Sequence, residues 1–440
     1  MLGAIVVPPL LLAHTALLRS EPAGDAHLME APRRLVLEFT EVVALATARV
    51  ILRGPAGDTI PLAALNHTDS TRRTVVAEVI VPPRAGGHVV EWTVAGTDGH
   101  PVRGTFRFTV DTAAAGLAAP AGDTLAGPRD TGRAATGSGE GQLDASSPVY
   151  AGVRFLTLAA VLGLLGSVAL GRLVVPRAPL SEYLRDAIVQ ATRRFGLMSA
   201  AALLLLAVGR LVLQTVALHG GWSTAAARQL VTGTTWGTGW LLQAAGALVA
   251  MGLLRARRDH PFGIAVMLGV LAVVISAPLS GHPVAVPDAA LLAVALDAIH
   301  VLAVGTWLGA LAVIVLAVMP ATRSAPHETM RGLLVAFTPV ALTGGALVLV
   351  SGAAGAWLQL GGLAPLFSSD YGRLLLIKVV LLAAVAGIGF VNWRRIVPAL
   401  LSEQGASRLR RSAGLELGLA IFALVVTAVL TATTPPVGVP

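Results

Sequence analysis

The chain has 440 residues, 55% of them hydrophobic and only 13% charged, with a net charge of +8 and no cysteine. A mean hydropathy of +0.75 belongs to a membrane-embedded protein and excludes a soluble domain of this length. The missing thiols exclude disulfide frameworks, thiolate metal sites and Cys-x-x-Cys redox chemistry. The arginines cluster at the ends of apolar runs, where they orient a chain in a bilayer rather than bind nucleic acid.

Met1–Ala13 is short and apolar and ends in Leu11-Leu12-Ala13, which reads as a secretory signal peptide cleaved before His14. No Lys or Arg precedes the apolar stretch, so an uncleaved leader is the alternative. Cleavage would make His14 the mature N-terminus. Residues 14–110 then alternate in short runs, Arg34–Phe39, 48–52, 74–80, 89–94 and 105–110, separated by Gly, Pro and Asp. That spacing predicts a β-sandwich of immunoglobulin-like or cupredoxin-like type. Trp92, Phe106 and Phe108 are expected in its core, whereas His27, His67 and His88 fall at strand edges or turns and are expected to be solvated. Residues 111–147 are rich in Ala, Gly, Thr and Asp and read as a flexible linker.

An all-α membrane domain is expected over 148–436. Eight apolar spans are predicted, near 149–171, 194–218, 236–254, 262–278, 288–318, 331–358, 371–396 and 412–431. The fourth is short and the fifth long. Arg172, Arg177, Arg185 and Arg193, then Arg255, Arg257 and Arg258, then Arg323, then Arg394, Arg395, Arg408, Arg410 and Arg411 follow the odd-numbered spans. The positive-inside rule places those loops in the cytoplasm and both termini, with the β domain, outside.

The fifth span carries Asp297 and His300 at i and i+3 on one helical face, with Trp307 two turns on. Ionisable groups inside a bilayer face the bundle interior and have partners. A structural hydrogen-bonding pair and a cation relay both satisfy that requirement. By helical rise, Asp297 lies roughly 13 Å below the outer surface and Arg210 about 12 Å below it, a depth at which they could pair. Lys378 is also in the outer half. Glu416 lies near the inner end of the last span, within reach of Arg194 or Arg394. Met198, Met251, Met267 and Met319 are scattered and read as packing.

The β region resembles the CopC family of periplasmic copper-binding proteins. The likeness runs from His14-Thr-Ala-Leu-Leu-Arg-Ser-Glu-Pro-Ala-Gly-Asp25, through Leu37-Glu-Phe-Thr-Glu41, to Gly96-Thr-Asp-Gly-His-Pro-Val-Arg-Gly104. It implies a Cu(II) site made by the amine and imidazole of His14 with Asp98 and His100, a donor set that suits tetragonal Cu(II). Glu41 would at most support those ligands, and with Met29 the only methionine in the β region no separate Cu(I) thioether loop is expected. The membrane half resembles the CopD family of copper transport and resistance proteins. The residues that carry this are Ser280-Gly-His282, Asp297-x-x-His300 with Trp307-x-Gly309, Gly372-Arg-Leu-Leu-Leu-Ile-Lys378, Asn392-x-Arg394 and Pro435-Pro436.

The resemblance implies a fused CopC–CopD protein that carries copper across the cytoplasmic membrane, in the uptake direction. Copper would descend from His14, Asp98 and His100 to His282, then to His300 with Asp297. Copper ions and the lipid bilayer are the expected partners. A copper-sequestering resistance protein is the alternative, and a haem-binding electron-transfer protein a weaker one, since His282 and His300 differ in depth by several turns. No Gly-x-x-x-x-Gly-Lys-Ser/Thr loop is present, which removes an ATP-driven pump within this chain, and the chain reads as a transport protein rather than an enzyme.

Overall fold

The structure is a computed structural model that describes residues 16–40, 42–96, 101–111, 147–256, 261–286, 289–400, 402–433 and 436. These form two compact units. One contains the β strands together with Gln214–Thr234, and the other contains the helical chain on either side of that segment.

The β unit is two sheets packed face to face. One has the strand order β1 (Leu17–Glu21), β3 (Arg34–Phe39), β7 (Thr74–Glu78), β6 (Asn66–His67), all antiparallel. The other runs β2 (Ala26–Leu28), β9 (Pro101–Val110), β8 (Gly86–Ala95), β4 (Arg49–Arg53), β5 (Thr59–Ile60), with β2 parallel to β9. The period of two sorts each strand by face. On β3, Leu35, Leu37 and Phe39 are buried and Arg34 and Glu38 exposed. Phe39 meets Trp92 edge to face at 5.3 Å across the sandwich. Trp92 lies opposite Gly104 on β9, and a Cβ at Gly104 would stand 2.3 Å from its ring. Only glycine fits there. Trp92 and Phe108 are core and Phe106 packs half-buried against it.

His88 is not solvated. It is 1% exposed, because β8 begins at Gly86 and the inward alternation of Val90, Trp92 and Val94 extends back through position 88. Its ring stacks on Phe108 at 5.1 Å, and Nδ1 lies 2.9 Å from the Gly86 carbonyl. Nε2 has no hydrogen-bond partner among the described residues. Burial pulls the imidazole below its usual range, against smaller opposing effects from the Gly86 carbonyl and Asp58. His27, by contrast, is exposed beside Asp111.

This unit also contains helical chain. Arg49 Nη1 donates to the carbonyl of His219 at 2.8 Å and Arg103 donates to that of Ala217, which are orphan acceptors at a helix C-terminus. The helix Thr224–Gly233, capped by Ser223, packs on the turn Leu45–Thr47.

The other unit is built from long apolar helices. Numbered along the chain, the helices of the protein are α1 (Pro148–Arg177), α2 (Glu182–His219, whose last residues belong to the β unit), α3 (Thr224–Gly233, wholly in the β unit), α4 (Thr235–Ala256), α5 (Ile264–Leu279), α6 (Ala290–Ala321), α7 (His327–Leu360), α8 (Asp370–Ile396) and α9 (Glu403–Leu430). Seven of them are long and apolar enough to span a bilayer among the described residues, and α5, with 16 residues, is shorter. The eight predicted spans therefore appear as seven such helices and one short apolar helix. Local signals set their ends: Ser147 caps α1, Ser369 caps α8, Ser402 caps α9, and Gly361 at φ 64° ends α7.

Small residues set the helix spacing. A Cβ on Gly166 of α1 would sit 2.1 Å from the Gly309 carbonyl carbon of α6. On α7, one at Gly344 would lie 2.9 Å from the Trp307 Cβ and one at Gly352 would lie 3.1 Å from His300 Cε1. The α6 contact falls in a widened π-helical turn, Gly305–Gly309, and another such turn, Asn392–Ile396, ends α8.

Candidate functional site

α6, α7, α8 and α9 line a half-open cavity of about 970 Å³. Its wall is mostly apolar, and into it project Asp297 and His300 from α6, Ser351 from α7, and Tyr371 and Lys378 from α8. The helical period puts Asp297 and His300 on one face, and the glycines of α7 let that face come close. His300 Nδ1 lies 3.1 Å from Ser351 Oγ. Ser351 spends its own hydroxyl hydrogen on the Leu347 carbonyl, at 2.5 Å. Its oxygen must therefore accept from His300, which puts the imidazole proton on Nδ1. The imidazole, which also interacts with the Val348 backbone carbonyl, lines the cavity. Fixing one ring nitrogen by a hydrogen bond is how proteins ready the other as a metal ligand.

Lys378 is the charged neighbour of both Asp297 and His300. Tyr371 also faces the field of Asp297 and donates its hydroxyl to Gln359 Oε1. Asp297 and Lys378 thus act on each other through their fields inside an apolar helical unit, with no direct ion pair between them among the described residues. A carboxylate and an imidazole can hold a cation with few ligands. Few ligands suit passage, which needs a site the ion can leave. Among the described residues no group of three or more His, Asp or Glu stands together as a metal cage.

Other predicted members are placed elsewhere. Asp297 and Arg210 do not meet: Arg210 Nη1 donates to Gln243 Oε1 at 2.6 Å and stacks 5.6 Å from the Trp236 ring. Equal depth had suggested the pair, but depth says nothing about which helices are neighbours. His282 opens a short turn, His282–Ala285, after α5 and is not in the cavity wall. Glu416 is reached by neither Arg194 nor Arg394, both exposed; it accepts from Asn392 Nδ2 at 2.9 Å. Met198 is 67% exposed, Met251 and Met267 pack in the core, and Met319 lines the cavity. The sequence reading noted Lys378 without assigning it a partner, and missed Ser351, Gln359 and Tyr371. An intramembrane lysine was signal enough for the first; hydroxyls and amides in apolar runs are too common to stand out.

Known proteins match the chain in three successive stretches. Residues 17–111 match the CopC domain, 143–289 the N-terminal domain of copper resistance protein D-like proteins, and 331–430 copper resistance protein D. The chain is a CopC–CopD fusion of the copper transport and resistance family. It is 25% identical over 457 residues to the copper transport protein CutJ of Bacillus subtilis, covering 99% of this chain and 77% of that one. Copper resistance protein C of Escherichia coli is 30% identical over 105 residues, which is 22% of this chain and 82% of that one. Among solved structures, CopC from Methylosinus trichosporium OB3b matches 23% of this chain and 96% of its own, at 24% identity and a TM-score of 0.22. Of the CopC part's expected ligands, His14, Asp98 and His100, with the supporting Glu41, all lie outside the described residues, as does the predicted leader. In the CopD part, Asp297 and His300 lie between the two matched D-type regions.

Proposed function

We propose that this CopC–CopD fusion carries copper ions inward across the cytoplasmic membrane. The exported β domain captures Cu(II) through His14, Asp98 and His100, and the helical domain receives the ion at Asp297 and His300, with His282 an intermediate stop. The N-terminal domain and the C-terminus face outward in this reading. What supports transport over simple sequestration is the convergence of Asp297, His300 and Lys378 on a cavity inside an apolar helical unit. A storage protein has no need of ionisable groups there, and such groups are costly in hydrocarbon. An interior-negative potential adds about 2.3 kcal/mol per charge per 100 mV to cation entry.

The test is copper accumulation in whole cells with the chain, without it, and with His300→Ala at matched membrane abundance. Accumulation that depends on the chain and is lost in His300→Ala is the expected result. Full accumulation by His300→Ala would remove the relay and leave the β domain as the copper site. His100→Ala should separately abolish most Cu(II) binding by the exported domain, measured by titration of the purified chain.

A further inference from the structure

The same cavity that holds Asp297 and His300 is also lined by Glu416 and Asn392. Glu416 is 5% exposed and lies in the span Ser407–Leu430. Its Oε2 accepts from Asn392 Nδ2 at 2.9 Å, and Asn392 Oδ1 accepts in turn from the Ser412 hydroxyl. A Cβ at Gly389 would lie 3.0 Å from Glu416 Oε1, so the glycine makes room for the carboxyl. Serine, amide and carboxyl thus form a chain that aims one acidic group and fixes its orientation.

No cation balances it among the described residues. Arg394 and Arg395, in the turn that carries Asn392, are exposed, and Arg394 stacks on Trp393 at 5.7 Å. Arg410 and Arg411 on α9 itself are exposed as well. Lys378, the charged group of α8 inside the cavity, is fourteen residues from Asn392, about 21 Å along a helix. α1, which also packs on α9, carries its Tyr150 and Arg154 at the N-terminal end. One neutral amide does not offset the desolvation of a carboxylate, and a buried unpaired carboxyl holds a proton instead. A cation that moves down the cavity to the Glu416 end changes that balance, since a charge close to a buried carboxyl acts on it through a low-dielectric surround.

We infer that Glu416, aimed by Asn392, is a proton-binding site that gives up its proton when copper reaches its end of the cavity and takes one back when copper moves on. The inference rests on the transport reading above. The exchange balances as written: the O–H bond of Glu416 breaks, its proton passes to water, and the carboxylate supplies one negative charge against the arriving cation. No electron moves, and Glu416 itself does not ligate the metal.

The experiment uses the purified full chain in detergent, titrated in weak buffer with copper(II) salt and, under ascorbate, with copper(I). Protons released are read with a pH dye, and the carbonyl band of protonated carboxylic acids is followed by difference infrared spectroscopy. At saturation, wild type should release one proton more per chain than Glu416→Gln, and should show loss of a carboxylic-acid band that the variant lacks. Asn392→Ala should shift that band, because its hydrogen bond to the carboxyl is gone. Glutamine keeps the acceptor for Asn392, so the variant preserves the network. If it is not recovered folded, Glu416→Asp serves: its band should appear at a shifted frequency, and an unshifted band overturns the assignment. Equal proton release and identical difference spectra in wild type and Glu416→Gln also overturn it. Failure of the transport reading is seen separately, as cells whose copper content does not depend on the chain.

Discussion

His88 shows how one residue carries a condition-dependent cost. Burial in the folded β unit lowers the proton affinity of its imidazole, while the unfolded chain binds a proton near the ordinary value of about 6.5. Stability from this group is complete above that pH and falls as the pH drops below it, because the unfolded state then binds a proton that the folded state refuses. Asp69 does not share this limb: the Thr71 hydroxyl and the backbone N–H groups of Arg73 and Thr74 hold its carboxyl down to about 2. Thermal unfolding of the chain at pH 5 and pH 7 should therefore differ more in wild type than in His88→Phe, which also keeps the stack on Phe108. Asp297 and Lys378 carry a second prediction. Asp297→Asn removes the negative field that Lys378 feels in the cavity, and should lower membrane abundance. Adding Lys378→Met should restore abundance, read by immunoblot of membranes, while copper uptake stays lost. The same residues mark what the sequence could tell. Asp297 and His300 were readable because ionisable groups in an apolar run are rare and the helical period is fixed. Lys378 as their charged neighbour was not, since depth along a helix is arithmetic but neighbourhood around the bundle is tertiary.

At the scale of elements, periodicity did most of the work. Long apolar runs leave a membrane helix no alternative, so α6 to α8 fall within a few residues of their predicted bounds. The β unit was harder. The five runs expected became β3, β4, β7, β8 and β9, but β2, β5 and β6 carry only two or three residues, too few for alternation to register, and the adjacent exposed Leu18 and Arg19 break the alternation of β1. β8 started three residues earlier than its pattern suggested, and that shift is what hid His88. Glycine positions that decide helix spacing were equally silent, because a glycine in an apolar run looks the same whether it faces lipid or another backbone. Gly166 gives the direct check. A side chain there collides with the Gly309 backbone, which cannot yield as a flexible side chain would. Gly166→Val should abolish folded protein in the membrane, whereas Gly152→Val on the same helix, where a Cβ meets nothing within 4 Å, should be tolerated. Comparing the two by size-exclusion chromatography in detergent separates a packing effect from a general dislike of valine.

On the whole-molecule scale, order along the chain and order in space part company. The stretch Gln214–Thr234 belongs to the β unit although it interrupts the helical sequence, and Arg49 and Arg103 grip the carbonyls of His219 and Ala217. The sequence reading tethered the β domain only through residues 111–147, because a hydrogen bond from an arginine to a distant carbonyl leaves no trace in local pattern. Non-covalent capture follows from this grip. A protease site placed within 112–146 and then cut should give two fragments that still co-purify, held by the sandwich's hold on 214–234. Arg49→Ala with Arg103→Ala should let the cut fragments separate. The two halves of such a fusion could then be made as separate chains and reassembled by complementation, the helical partner bringing the docking peptide inside its own sequence.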